Sequence, residues 1–157
     1  MIVLKHVLVA DDFGPASSAA LKYGRAFART FGATLHVLHV VENLFLKPTA
    51  VDPHDIKAAR ARSLHDRLTH DDHTVLHVRP VVETSDAPAE AIAAYARTNG
   101  VDLIVMGTHG RSAMAQILMG SVAERVVRTA PCPVLTVRHP EHDFVMPDAG
   151  PQATARA

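Results

Sequence analysis

The stretch Val101-Asp-Leu-Ile-Val-Met-Gly107-Thr-His-Gly110-Arg-Ser-Ala-Met-Ala-Gln-Ile-Leu-Met-Gly120-Ser121-Val-Ala-Glu124 runs from an apolar segment through a loop with three glycines into the opening of a helix. Val101 to Met106 is too short for an ordinary helix and carries one charge, Asp102, which suits a strand buried on both faces. Strands of that kind belong to parallel sheets, whose neighbours must be joined by crossovers, and helices supply them. The flanking sequence has this form. Upstream, Ala89 to Thr98 reads as a helix, with Pro88 near its first turn and Gly100 just beyond its end. Before it come a strand over Val75 to Val82, an alanine- and arginine-rich helix over Asp55 to Leu68, and a strand over Thr34 to Val41. Ser17 to Phe31 spaces Ala20, Leu21, Gly24, Phe27, Ala28 and Phe31 by three and four residues, and Gly32 stands where a helix C-cap belongs. Ile2 to Ala10 is the first strand. Downstream, a helix ends near Thr129 and Pro133 to Val137 forms the last strand. Five strands alternating with four helices predict an α/β, doubly wound parallel sheet with helices on both faces and strand order 3-2-1-4-5.

Sixteen basic and sixteen acidic residues cancel, so no global field draws this chain to nucleic acid or to an anionic membrane, and neither is an expected partner. An anionic ligand must be held by local geometry. Eleven histidines would make the surface cationic as the pH falls, and most read as solvated side chains. With 157 residues, 48% of them apolar, the chain has material for one core and one domain. Cys132 is the single cysteine, flanked by Pro131 and Pro133, which reads as a connector and makes the cytosol the default compartment. The apolar N-terminal stretch is too short to span a bilayer, and Asp11 and Asp12 follow it where a cleavage site would need small neutral residues. Glu42 to His54, with Pro48, Pro53 and the apolar Phe45 and Leu46, reads as a linker that would act as a lid or a partner-binding patch.

In open parallel sheets, ligands bind outside the carboxyl ends of the strands where strand order reverses, so the loops after the first and fourth strands are the candidate site. Glycine allows positive φ and lets amide N–H groups approach a phosphate without a Cβ in the way, and Gly107 and Gly110 meet that need. Gly120 and Ser121 open a helix, whose free N–H groups and dipole favour an anion. Ser121-x-x-Glu124 is equally a capping box that needs no ligand.

The spacing G-x2-G-x9-G-S, at Gly107, Gly110, Gly120 and Ser121, resembles the ATP-binding motif of universal stress proteins, and Gly120 to Arg138 is similar to that family's C-terminal part. The resemblance covers residues 1–138, as one Rossmann-like domain, and leaves 139–157, with Pro140, Pro147, Gly150 and Pro151, as an expected disordered tail. It implies that the glycine loop holds triphosphate and ribose, that Ser121 contacts a phosphate, and that Val122 completes the helix start. It also implies that the backbone of Val40 meets adenine and that Arg111 stands near the phosphates. Ala10, Asp11, Met106 and His109 complete the expected nucleotide-binding set. Asp12 matches the family's strand-one aspartate. It would contact the ribose edge, order the backbone, act as an outer ligand of the Mg²⁺ that accompanies ATP, or simply cap the first helix. The chain departs from relatives at Gly14, where serine is frequent, and at Thr84 and Ser85, where glycine is.

The expectation is therefore a stress-response regulatory protein that binds ATP or AMP, with little or no hydrolysis, pairing as a homodimer through strand five. A slow ATPase or phosphotransfer enzyme is the alternative, but no G-x4-G-K-[ST] lysine or catalytic cluster is present. The Asp11-Asp12 pair also suggests a phosphoacceptor receiver domain. That class needs an aspartate after strand three and a lysine after strand five, where this chain has Glu83-Thr84 and Arg138-His139-Pro140. His70-Asp71-Asp72-His73 contains possible metal ligands but reads as a solvated turn. His36 and His39 lie three apart on a strand, so they face opposite sides and cannot share an ion.

Overall fold

The computed structural model describes residues 1–42, 52–109 and 119–139. Five parallel strands, β1 (His6–Ala10), β2 (Thr34–Val41), β3 (Arg79–Thr84), β4 (Leu103–Gly107) and β5 (Val134–Val137), form one sheet in the order β3-β2-β1-β4-β5. The expected doubly wound topology is the one found. The helices are α1 (Pro15–Phe31), α2 (Pro53–Asp66), α3 (His70–Thr74), α4 (Pro88–Thr98) and α5 (Ser121–Thr129). Alternation along the inner strands divides the core in two. Val7, Val9, Leu35, Val37 and Val105 pack toward α1 and α2, while Leu8, Leu38, Ile104 and Met106 pack toward α4 and α5. Burying each such side chain stabilises the fold by roughly 1.5–3 kcal/mol.

Element boundaries differ from the sequence reading for local reasons. β1 starts at His6 rather than Ile2, because its neighbours begin no earlier. Thr34 donates to the carbonyl of Lys5, and the Asp102 carboxylate accepts the N–H groups of Lys5 and His6 at 2.7 and 2.9 Å. Met1, Ile2 and Val3 are exposed. β3 is shifted toward the C-terminus, to Arg79–Thr84. Residues 70–74, expected as a turn, form a short helix instead, and His77 adopts φ 47°, which interrupts any extended run from Val75. α1 begins at Pro15, whose fixed φ suits the first helical position, and ends at Gly32 in the left-handed region at φ 63°.

The helix α3 explains the His70-Asp71-Asp72-His73 cluster. Thr69 and Asp72 form a reciprocal capping box, and Asp72 is buried against Arg25, which grips it with two bonds of 2.8 and 2.6 Å. Burial would raise the Asp72 pKa, but the Arg25 fork and the bonds from Thr69 outweigh it and hold the carboxyl below its ordinary value. Asp72 therefore serves packing, and among the described residues no group of three ligands is placed to hold a metal ion.

Two histidines depart from the solvated reading. His36 is fully buried in mid-sheet, with Nε2 3.1 Å from His6 Nδ1 and Nδ1 2.8 Å from the Tyr95 hydroxyl. His39 is buried on the other side of the sheet, against Phe13. Burial first, then the charges of His6 and Arg79, lower the His36 pKa to about 4. The unfolded chain then binds more protons than the native one between pH 6.5 and about 4. Stability is fully present above pH 6.5 and should fall by roughly 1–3 kcal/mol as the pH drops through that window. Urea unfolding from pH 7 to 4 measures this slope, which should flatten in His36→Leu.

Candidate functional site

The parallel sheet brings the carboxyl ends of all five strands to one edge. β1 and β4 are adjacent there, with Ala10 beside Met106, and their chains leave in opposite directions, β1 toward β2 and β4 toward β5. This is the switch point anticipated for a ligand.

On the β1 side, Asp11 is consumed by the protein. Its N–H donates to the carbonyl of Leu38 at 2.8 Å, and its carbonyl accepts Nδ1–H of His39 at 2.7 Å. Its Oδ1 accepts the N–H of Phe13 at 2.7 Å and the hydroxyl of Ser17 at 3.0 Å. Its Oδ2 lies 2.9 Å from Nε of Arg67, off the angle of a hydrogen bond, so that contact is an ion pair held by charge. Burial holds the His39 ring below the usual imidazole pKa, so near neutral pH it is uncharged and gives its one N–H to Asp11. Asp12 is half-buried and differently placed. Its Oδ1 accepts the N–H of Gly14 at 2.9 Å, and its Oδ2 has no hydrogen bond among the described residues. Asp12 does not cap α1: the N-cap is Gly14, with no side-chain cap bond. Between them, Phe13 adopts φ 65°, an uncommon conformation for a bulky residue.

On the β4 side, Gly107 is glycine for a reason other than positive φ, which it does not have. A Cβ there would lie 2.7 Å from Cβ of Ala16 and 3.0 Å from the Ala16 carbonyl carbon, so its bareness lets the first turn of α1 sit against the strand end. Thr108 is buried. Its N–H donates to Val137 at 2.9 Å, and its carbonyl accepts the N–H of Gly120 at 2.6 Å. The latter bond closes the base of the loop between β4 and α5. Gly110 and Arg111 lie within that loop, outside the described residues, as do Phe45 and Leu46 of the linker and the segment from Pro140 onward.

Gly120 is the N-cap of α5 and Ser121 occupies the first helical position, exposed, with no side-chain cap bond, so the Ser121-x-x-Glu124 capping box does not form. Glu124 makes the first bond of the helix, to the Gly120 carbonyl at 2.9 Å. The N–H groups of Ser121, Val122 and Ala123 have no partner inside the helix, which leaves donors and a positive dipole end beside the β4 terminus. Val122 turns its side chain into the core and His109 bonds the Thr108 hydroxyl at 2.9 Å. Val40 is half-buried near the end of β2.

The sequence reading overlooked Phe13, Ser17, His39, Arg67 and Thr108. A hydrophobic aromatic, a serine and a threonine carry no motif, and Arg67 becomes local only when α2 docks.

A model of the universal stress protein family matches residues 4–138. The universal stress protein of the QAH/OAS sulfhydrylase 3′ region of Thermus aquaticus is 34% identical over 146 residues, covering 87% of this chain and 100% of its own. The structure of UspA from Lactobacillus plantarum superposes with a TM-score of 0.73 at 25% identity, covering 88% of this chain and 100% of that one. A universal stress protein in complex with cAMP superposes with a TM-score of 0.63 at 26% identity, covering 87% and 98%. The chain belongs to the universal stress protein family. No described helix is long and apolar enough to cross a membrane.

Gly107→Ala tests the packing role of the switch-point glycine. The added methyl should cost about 1–3 kcal/mol in chemical denaturation, because Ala16 is fixed in a helix and cannot yield. Unchanged stability would contradict the close approach of Ala16 to Gly107.

Proposed function

We propose that this chain is a regulatory module that holds ATP, accompanied by Mg²⁺, at the carboxyl ends of β1 and β4. One observation carries the reading: the Gly120-to-Thr108 bond pins the N-terminus of α5, whose first N–H groups have no partner inside the helix, beside the end of β4 and so next to β1. In this reading the phosphates lie over Gly120, Ser121 and Val122, with His109, Gly110 and Arg111 contributing from the loop. Ala10, Asp11 and Met106 line the floor, and the backbone of Val40 meets the adenine edge. The cAMP complex of the relative described above supports a nucleotide as the ligand class. A Mg²⁺ ion bound largely by phosphate and water needs few protein oxygens, and the available Oδ2 of Asp12 fits one such ligand. The set offers donors and dipoles that retain charge, and the sequence holds no G-x4-G-K-[ST] lysine, which favours slow or absent hydrolysis. The protein acts in the cytoplasm.

Isothermal titration with ATP and Mg²⁺ tests the proposal, and no heat of binding at millimolar nucleotide would refute it. Ser121→Asp separates fold from function. A carboxylate in the first turn should leave the helix as stable or better by about 0.3–1 kcal/mol, yet repel phosphate and weaken ATP binding about tenfold or more.

The proposal includes assembly. β5 is an edge strand, and its unpaired side is suited to antiparallel pairing with a second copy. Sedimentation at micromolar concentration should give a dimer mass, and a monomer mass would refute pairing.

A further inference from the structure

The residues that order the β1–α1 turn come partly from outside it. Arg67, the C-cap of α2, reaches the turn with its guanidinium: Nε is 2.9 Å from Oδ2 of the fully buried Asp11 carboxylate, and Nη2 donates to the Ser18 hydroxyl at 2.6 Å. The same group lies 5.5 Å from the centre of the Phe13 ring, the residue with positive φ, and that ring also meets His39 at 4.4 Å and the guanidinium of Arg60 at 5.7 Å. Arg67 is itself held from behind. Its carbonyl accepts Nη2 of Arg25 at 3.0 Å, and Arg25 is fixed by its two bonds to the buried Asp72 of α3. A chain of charged contacts thus runs from α3 through α1 to α2 and ends on the carboxylate of Asp11, the residue before Asp12.

Energetics give this chain a direction. A buried carboxylate without a counter-charge is costly, so removing Arg67 leaves Asp11 uncompensated, and relief requires the turn to open toward water. Phe13 would lose one of its two cationic neighbours at the same time, with Arg60 remaining 5.7 Å from the ring centre, which removes part of what sustains its strained backbone. The turn that would move is the one carrying Asp12.

We propose that Arg67 is a positioning residue for the ligand site: docking of α2 through the Arg67–Asp11 ion pair sets the conformation of residues 11–14 and so presents Asp12 to the nucleotide. The inference rests on the reading of the site as a nucleotide site, and it adds that α2, which contributes no residue to the proposed ligand contacts, controls affinity. Binding and α2 docking are then coupled in both directions, because linkage is reciprocal.

The test uses the full chain with Arg67→Met, which keeps the apolar stem and removes the charge, Arg67→Lys, which restores it, Asp11→Asn, and the Met–Asn double variant. Arg62→Gln, on the exposed face of α2, controls for loss of a cation. Amide hydrogen exchange of the ligand-free proteins is read first. Exchange of residues 11–18 should rise about tenfold in Arg67→Met while that of α4 stays unchanged, partly recovering in Arg67→Lys. Titration with Mg-ATP should show affinity lost about tenfold in Arg67→Met, partly restored in Arg67→Lys and unaltered in Arg62→Gln, with the double variant no worse than the worse single one. Unaltered exchange at residues 11–18 would overturn the inference whatever the ligand does. Wild-type affinity in an Arg67→Met chain with raised exchange would overturn it as well. A wild-type chain that binds no nucleotide would instead refute the proposed function, and the exchange result would still decide whether Arg67 sets the turn.

Discussion

The arrangement at the carboxyl edge of the sheet depends on how closely α1 can approach the end of β4. Gly107 has no side chain, and Ala16 of the first helical turn fills the space one would take. That contact fixes where α1 begins, and hence the path of Asp11 to Gly14 between β1 and the helix. With α1 so placed, Ser17 reaches the Asp11 carboxylate and Gly14 becomes the N-cap, its N–H turned to Asp12. On the other flank, Thr108 continues directly from Gly107 and anchors both β5 and the start of α5. One bare backbone position therefore coordinates the two loops that form the candidate site.

The sheet order and element types were legible in the sequence because apolar strands and three-four helical spacing record burial directly. Gly32 marked the end of α1 at the residue where the left-handed cap is found. Legibility failed where long-range pairing outranks local preference. Ile2 and Val3 favour strand, yet no neighbouring strand extends far enough to pair with them. Val75 and Leu76 look like the start of β3, but the Thr69–Asp72 capping box forms α3 just before them and His77 turns the chain.

At the candidate site, the motif draws attention to the glycines, but the structural reason for Gly107 is not one the motif supplies. Gly107 reads as a phosphate-loop residue and is required by a helix packed against it. Ser121 reads as a cap and is the first helical residue behind a glycine cap. The pair Asp11-Asp12 looks symmetrical in sequence, and the structure divides it. One carboxylate is buried and ion-paired with an arginine far along the chain, and the other keeps an oxygen available. The family resemblance singles out Asp12, but it could not show that Asp11 is ion-paired, because the partner, Arg67, belongs to another element. His36 and His39 were separated correctly by strand periodicity, although their burial was not evident from composition.

The pairing of β1 with β4 sets Ala10 against Met106, residues with most of the chain between them. The two halves of the candidate site are thus synthesised far apart in time. A nascent chain that has emerged only through β3 contains Asp12 and Val40 but neither the loop after β4 nor the start of α5. On the proposed reading, occupancy of the site would certify a finished and correctly wound molecule. A ligand bound there would act as a staple between the first and last parts of the polypeptide, resisting global unfolding more than local fraying.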